Sequence, residues 1–231
     1  MGSTHLERSD RYWLSTAEHF DNHYRAGLVT RAFLHKRTAV LSGMLRVTPE
    51  MRLADVGCGS GIQLLCLAPH VREAVGFDFS QQMIDIAKAR LQQAEIRNVV
   101  LTQADARDLP AGPASFDAVI SLGLLDYLPD AARAIREMAR ILVPGGDLIV
   151  TAPKTPSLLG FLRGGPGLWL REKLLSLPPI VNAMDRRDIT EALRRCELRV
   201  VELQSIWTTM WIAHCVKPLS PGCTSTQNAR P

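Results

Sequence analysis

Short apolar runs bounded by turn formers alternate with stretches of helical periodicity between residues 25 and 152. Strands that are apolar along their whole length need cover on both faces, and helices joining parallel strands supply it. Leu53–Val56, Ala74–Phe77, Val99–Leu101, Phe116–Ser121 and Leu148–Val150 are expected as strands. Between and before them, helices are expected at Arg25–Leu45, with Val29, Phe33, Val40, Leu41 and Met44 on one stripe, and at Ile62–Leu67. A further helix follows the N-cap Ser80, with Met83, Ile84, Ala87 and Leu91 inward, and another spans Ala131–Leu142. Pro144-Gly145-Gly146 is expected as a turn. A helix near Asp188–Cys196 then precedes two strands, Leu198–Ser205 and Thr209–Val216, joined by a short connection and hence antiparallel. The pattern is one α/β domain over residues 25–217, with a cap segment at 1–24 and a loose tail at 218–231. Residues 153–186 interrupt the periodicity as an insertion.

Composition narrows the classes. With 46% hydrophobic and 22% charged residues in 231, the chain is neither disordered nor a disulfide scaffold. No uncharged apolar run reaches the ~18 residues of a membrane-spanning helix, and the N-terminal stretch lacks the apolar core of a signal peptide. A cytoplasmic location is therefore expected. The five cysteines (Cys58, Cys66, Cys196, Cys215, Cys223) are scattered without a C-x-x-C, as expected of free thiols. A net charge of +4, spread along the chain, gives no reason to expect a nucleic-acid partner.

The strongest local signal is Asp55-Val56-Gly57-Cys58-Gly59-Ser60-Gly61, between a strand and a helix. Glycines there let a ligand lie against bare backbone. The spacing departs from the G-x-G-x-x-G of dinucleotide binders, since Gly61 comes one place early and Ile62 stands where a small residue belongs. No Gly-Lys-Ser/Thr follows, which excludes a phosphate-cradling loop. Asp78 lies 21 residues after Gly57, close to the ~20 expected of an acid that holds ribose hydroxyls. Asp105, after the third strand, is placed to reach a nucleobase edge over the same crevice, at the strand ends where open α/β sheets bind ligands.

Asp55–Gly61, Asp78, Ala104-Asp105-Ala106, Phe116–Ser121 and Arg140–Gly146 together resemble the ordered motifs of class I S-adenosylmethionine-dependent methyltransferases. The likeness is to the small-molecule, ubiquinone/menaquinone-biosynthesis-like group (methyltransferase type 11 domain). It implies a Rossmann-like, seven-stranded, mostly parallel sheet with an antiparallel last strand and helices on both faces. It also implies S-adenosylmethionine as co-substrate. Gly57, Cys58 and Gly59 would then pass under its methionine part, Asp78 would hold the ribose, Phe79, Asp105 and Ala106 the adenine, and Leu122 would lie near the sulfonium, with Asp55 also among the cofactor-binding residues. Tyr12, Tyr24 or Arg25 are candidates to close over the carboxylate.

The acceptor is approached by exclusion. Ser121-Leu122-Gly123-Leu124 lacks the motif of base amino methyltransferases and holds no cysteine nucleophile. Only Asp126 follows nearby, against the paired glutamates of arginine methylation. A metal-free, small-molecule reaction is left, with oxygen the expected acceptor atom and C- or N-methylation of a quinone, polyketide or tetrapyrrole-like acceptor the alternative. Displacement from a sulfonium rests mainly on alignment, and a base is needed only if the acceptor arrives protonated. Base candidates are Asp126, Tyr127 and His23, with His19 one helical turn from His23; no third ligand completes a metal pair there. The leucine-rich insertion 153–186 is expected to form an acceptor lid for an apolar molecule (quinone, isoprenoid, polyketide or tetrapyrrole-like), with peripheral membrane contact through 155–177. A catalytically silent adenosylmethionine-binding module is the alternative of a different class, and a nicotinamide oxidoreductase a third. Oligomeric state is left open.

Overall fold

The computed structural model describes residues 28–154, 184–206 and 210–219. The cap segment with Tyr12, His19, His23, Tyr24 and Arg25, most of the insertion including 155–177, and the tail beyond residue 219 lie outside the described residues.

Helix α1 (Leu28–Met44) leads to β1 (Arg52–Val56), α2 (Ile62–Leu67), a single 3₁₀ turn (Ala68–His70), β2 (Glu73–Asp78) and α3 (Gln81–Gln93). Strands β3 (Val99–Gln103) and β4 (Phe116–Ser121) follow, then α4 (Ala131–Ile141), β5 (Leu142–Pro153), α5 (Arg186–Arg195), β6 (Arg199–Ile206) and β7 (Met210–Val216). They build one seven-stranded sheet in the order β3-β2-β1-β4-β5-β7-β6. The first five pair in parallel, while β7 runs antiparallel to both β5 and β6. The hairpin partners are therefore neighbours, as expected. What sequence did not indicate is that β7 inserts between β5 and β6 and leaves β6 at the edge.

Alternation along the strands feeds two cores. Ala54, Val56, Val119, Leu148, Val150 and Ala213 face α4 and α5, against Ile135, Met138, Ile189 and Leu193. Leu53, Ala118, Ile120, Ile149 and Ile212 point the other way, onto Leu41, Leu64, Ile84 and Leu91 of α1, α2 and α3. Helices thus cover both faces, and the central strands are apolar throughout because neither side meets water. Local chemistry starts these helices: Ser80 Oγ accepts from the Met83 N–H at 3.4 Å, as expected, and Asp130 Oδ1 from Arg133 N–H at 3.0 Å, a cap that was not foreseen. Asp185 and Asp188 form a reciprocal capping box at α5.

One expectation fails. Pro144-Gly145-Gly146 is no turn between elements but part of β5, which runs from Leu142 to Pro153 with an irregularity opposite Asp117. The turn formers are held in the sheet by the chain after β7: Gly145 N–H donates to Lys217 O (2.7 Å) and Lys217 N–H to Gly146 O (3.0 Å). Gly146 is needed because a Cβ there would sit 2.7 Å from the Asp117 carbonyl.

The four described cysteines, Cys58, Cys66, Cys196 and Cys215, are free thiols. Among the described residues no helix is long and apolar enough to cross a membrane.

Candidate active site

The carboxyl ends of β1, β2 and β4, with the turn after β3, surround one open cleft. Its first wall is the glycine turn after β1. Gly57 N–H and Cys58 N–H both donate to Phe77 O, at 2.8 and 3.0 Å, which ties the turn to β2. Gly57 holds φ +75°, and a Cβ there would sit 3.0 Å from Leu124. Gly57→Ala is expected to cost about 1–2 kcal/mol from the left-handed backbone alone. It should also push Leu124 into the cleft; thermal denaturation with a parallel ligand titration reads both effects.

The second wall is Asp78, at the end of β2. Its Oδ2 accepts the Gly59 N–H at 2.8 Å and its Oδ1 the Ser80 N–H at 2.9 Å. Burial pushes this carboxyl up, while the two N–H groups pull it down. Each oxygen is anchored yet keeps a lone pair for a ligand hydroxyl. Phe79 stands at the mouth, 41% exposed, an unusual place for a large aromatic ring unless a ligand covers it. Asp105 and Ala106, after β3, line the same cleft, and Leu122 lines it after β4. All nine cofactor residues expected from sequence (Asp55, Gly57, Cys58, Gly59, Asp78, Phe79, Asp105, Ala106, Leu122) therefore meet around one space.

The catalytic candidates divide. Tyr127 lines the cleft beside Leu124, Leu128 and Pro129, whereas Asp126 is 4% exposed and absent from the lining. His23 lies outside the described residues. Cys58 cannot act as a nucleophile at neutral pH, because burial, with Asp55 and Asp78 nearby, pushes its thiol well up.

Among the lining residues that sequence reasoning missed are Arg37, Gln63 and Arg107. Arg37, on α1, is 7% exposed and its Nη1 donates to Leu122 O at 3.4 Å. A signal existed, since Arg37 lies four residues from both Phe33 and Leu41 and so interrupts the apolar stripe with a charge. Gln63, 4% exposed, donates its Nε2–H to Thr38 Oγ1 at 3.4 Å and leaves Oε1 without a donor. Asp55, 2% exposed, likewise leaves Oδ2 without one. Burial pushes the Asp55 carboxyl up to about 7, with Arg37 pulling down and Asp78 adding to the rise. Buried acceptors without donors are rare, and these two belong to residues that line the cleft together with Arg37.

Residues 54–150 match a methyltransferase domain family. A demethylmenaquinone methyltransferase of Bacillus cereus is 33% identical over 125 residues, covering 52% of this chain and 52% of that protein. One from Bacillus anthracis matches to the same extent. The chain spans about half the length of these curated relatives. Among solved structures, an S-adenosylmethionine-dependent methyltransferase of Thermotoga maritima shares the fold with TM-score 0.68, at 21% identity over 90% of this chain and 99% of that one. The [4+2]-cyclase SpnF shares it with TM-score 0.66, at 21% identity over 80% of this chain and 81% of that one.

Proposed function

We propose that this chain, which carries a class I S-adenosylmethionine-dependent methyltransferase domain at residues 54–150, methylates a small apolar molecule by direct displacement, with oxygen as the acceptor atom. The observation that carries the cofactor half is the meeting of the glycine turn, Asp78 and Asp105 with Asp55 and Arg37 around one cleft. The methionine head has an ammonium for the Asp55 carboxylate and a carboxylate for the Arg37 guanidinium. The rest of the cleft fits the same molecule: Asp78 for the ribose hydroxyls, Phe79 for a base face, Asp105 and Ala106 for its edge. When bound, the cofactor supplies an electrophilic methyl group on sulfur.

The chain's own part is to align the acceptor, exclude water and take a proton where needed. Leu122, Leu124, Leu128 and Pro129 make the acceptor side of the cleft apolar, and the demethylmenaquinone methyltransferases among the relatives support a quinone-like acceptor, whose hydroxyl in the reduced form is the oxygen of this reading and whose ring carbon is the alternative. Tyr127 is the group proposed to meet that hydroxyl. His23 stays a candidate on sequence grounds, and Asp126 can act only through its neighbour. We place the protein in the cytoplasm. The leucine-rich stretch 155–177 is proposed to touch a lipid surface when it collects its acceptor; the insertion starts and ends side by side, where Met184 N–H donates to Pro153 O at 3.0 Å.

A second activity is favoured by one comparison. A [4+2]-cyclase shares this fold, so a protein that holds the cofactor without transferring its methyl group is the second reading. Incubation with methyl-labelled S-adenosylmethionine and apolar phenols, quinols or cell extract separates the two. Equal amounts of S-adenosylhomocysteine and labelled product are expected. Tight cofactor binding with no product from any acceptor favours the silent module, and preferential binding of NAD sinks both.

A further inference from the structure

We propose that Arg107 sets which nucleobase this cleft accepts, by fixing the Asp105 carboxylate as an acceptor that only a base with an exocyclic amino group satisfies. The inference rests on the cofactor assignment above and concerns a residue with no part in the motifs that led to it.

Asp105 lies beyond β3 and Arg107 two residues further on, both on the cleft wall. Arg107 folds back onto the carboxylate with its main chain and its guanidinium together. Its backbone N–H donates to Oδ1 at 2.8 Å, Nε to Oδ1 at 2.9 Å and Oδ2 at 3.1 Å, and Nη2 to Oδ2 at 2.5 Å. This is the two-pronged geometry that a guanidinium provides and an ammonium does not. The arginine is itself braced: Arg133 Nε, on α4, donates to Arg107 O at 2.9 Å. These contacts use three N–H groups, Nε being shared between the two oxygens, so of the carboxylate's about four acceptor positions one is left for a ligand N–H while the plane of the group is fixed.

The consequence appears when a base covers the site. A stacked ring removes water, which favours protonation of a lone carboxyl. Arg107 never loses its charge, and its hydrogen bonds already hold Asp105 below the usual carboxylate range. Asp105 therefore has no proton to give. Adenine presents an amino N–H and is satisfied; hypoxanthine, of the same shape, presents a carbonyl oxygen there and sets acceptor against acceptor. A buried, unmatched polar group costs about 1–3 kcal/mol, or roughly 5- to 150-fold in affinity.

The test is calorimetric titration with S-adenosylhomocysteine and S-inosylhomocysteine at pH 6 and pH 8, on wild type, Arg107→Gln and Asp105→Asn. Wild type is expected to prefer the adenosyl compound by roughly 30-fold or more at both pH values, within the span set by an unmatched buried group. Asp105→Asn, whose amide can donate or accept, should bring the ratio near one at both. Arg107→Gln should lower the ratio about tenfold at pH 6, with a smaller change at pH 8. A wild-type ratio in Arg107→Gln at both pH values overturns the proposal, as does an equal loss of both ligands, which marks a structural role. If wild type binds neither compound, the cofactor assignment itself fails, and Arg107 has no such role.

Discussion

Asp78→Ala is expected to weaken S-adenosylhomocysteine binding by about 100-fold or more. Hydrogen bonds to a charged group are worth about 1.5–3 kcal/mol each, and two ribose hydroxyls share this carboxylate in the proposed complex. The substitution also releases the Gly59 N–H held by Oδ2 and the Ser80 N–H held by Oδ1, so the glycine turn loses its tie to the end of β2. Asp78→Asn keeps an oxygen for one of these partners and should lose only about tenfold, the share of one such bond. Calorimetry on proteins with matched melting curves gives the comparison. Alanine-variant affinity within threefold of wild type would remove Asp78 from the site.

The second large effect is on pH. S-adenosylhomocysteine affinity is expected to rise between pH 5 and pH 8 by about 100-fold, then level off. The cause is Asp55, whose buried carboxyl is pushed up to about 7 and must be ionised to pair with the ligand's ammonium. Below that value most molecules carry a proton that binding must expel, at about tenfold in affinity per pH unit. Asp78 is also raised by burial, so the assignment needs Asp55→Asn, which should bind weakly and show a flat profile. An unchanged profile in that variant would shift the effect to another group.

The same residue has the opposite effect on the empty protein. Its folded value lies above the ordinary 3.8, so its contribution to stability is full below about pH 4 and is lost as pH rises through about 7. At pH 8 the ionised, donorless carboxylate costs up to about 4 kcal/mol. Asp55→Asn should therefore melt higher than wild type at pH 8 without ligand, and lose that advantage at pH 4. A residue that destabilises the apoprotein and strengthens ligand binding fits a site whose strain is relieved by its ligand.

Much of this architecture was legible because period and position carry it. Strands β1, β2, β4 and β5 are mostly apolar, as a sheet covered on both faces requires. Ser80 announces a helix start by a side chain that bonds to the main chain locally, with no help from distant residues. The Pro144-Gly145-Gly146 turn was misjudged because its outcome depends on Lys217, more than seventy residues away, whose backbone holds the segment in the sheet. Asp126 and Tyr127 are neighbours in the chain, yet one is buried and the other lines the cleft. That division follows from how the loop after β4 lies, which neighbouring letters do not encode.

The sequence by itself determined the fold class, the rim of the sheet where the cleft opens, and the residues that main-chain geometry brings to it: the glycine turn and the acids that end β2 and follow β3. These are local, because each depends on a strand ending where its apolar run ends. Only the tertiary structure decided that β7 enters between β5 and β6, that Arg37 and Gln63 turn inward beside Asp55, and that Arg107 folds onto Asp105. Except for the last, those facts join elements far apart in the chain, and periodicity assigns polar side chains to solvent. A charge is placed in a cleft by its partners there, and partners exist only once the sheet has assembled.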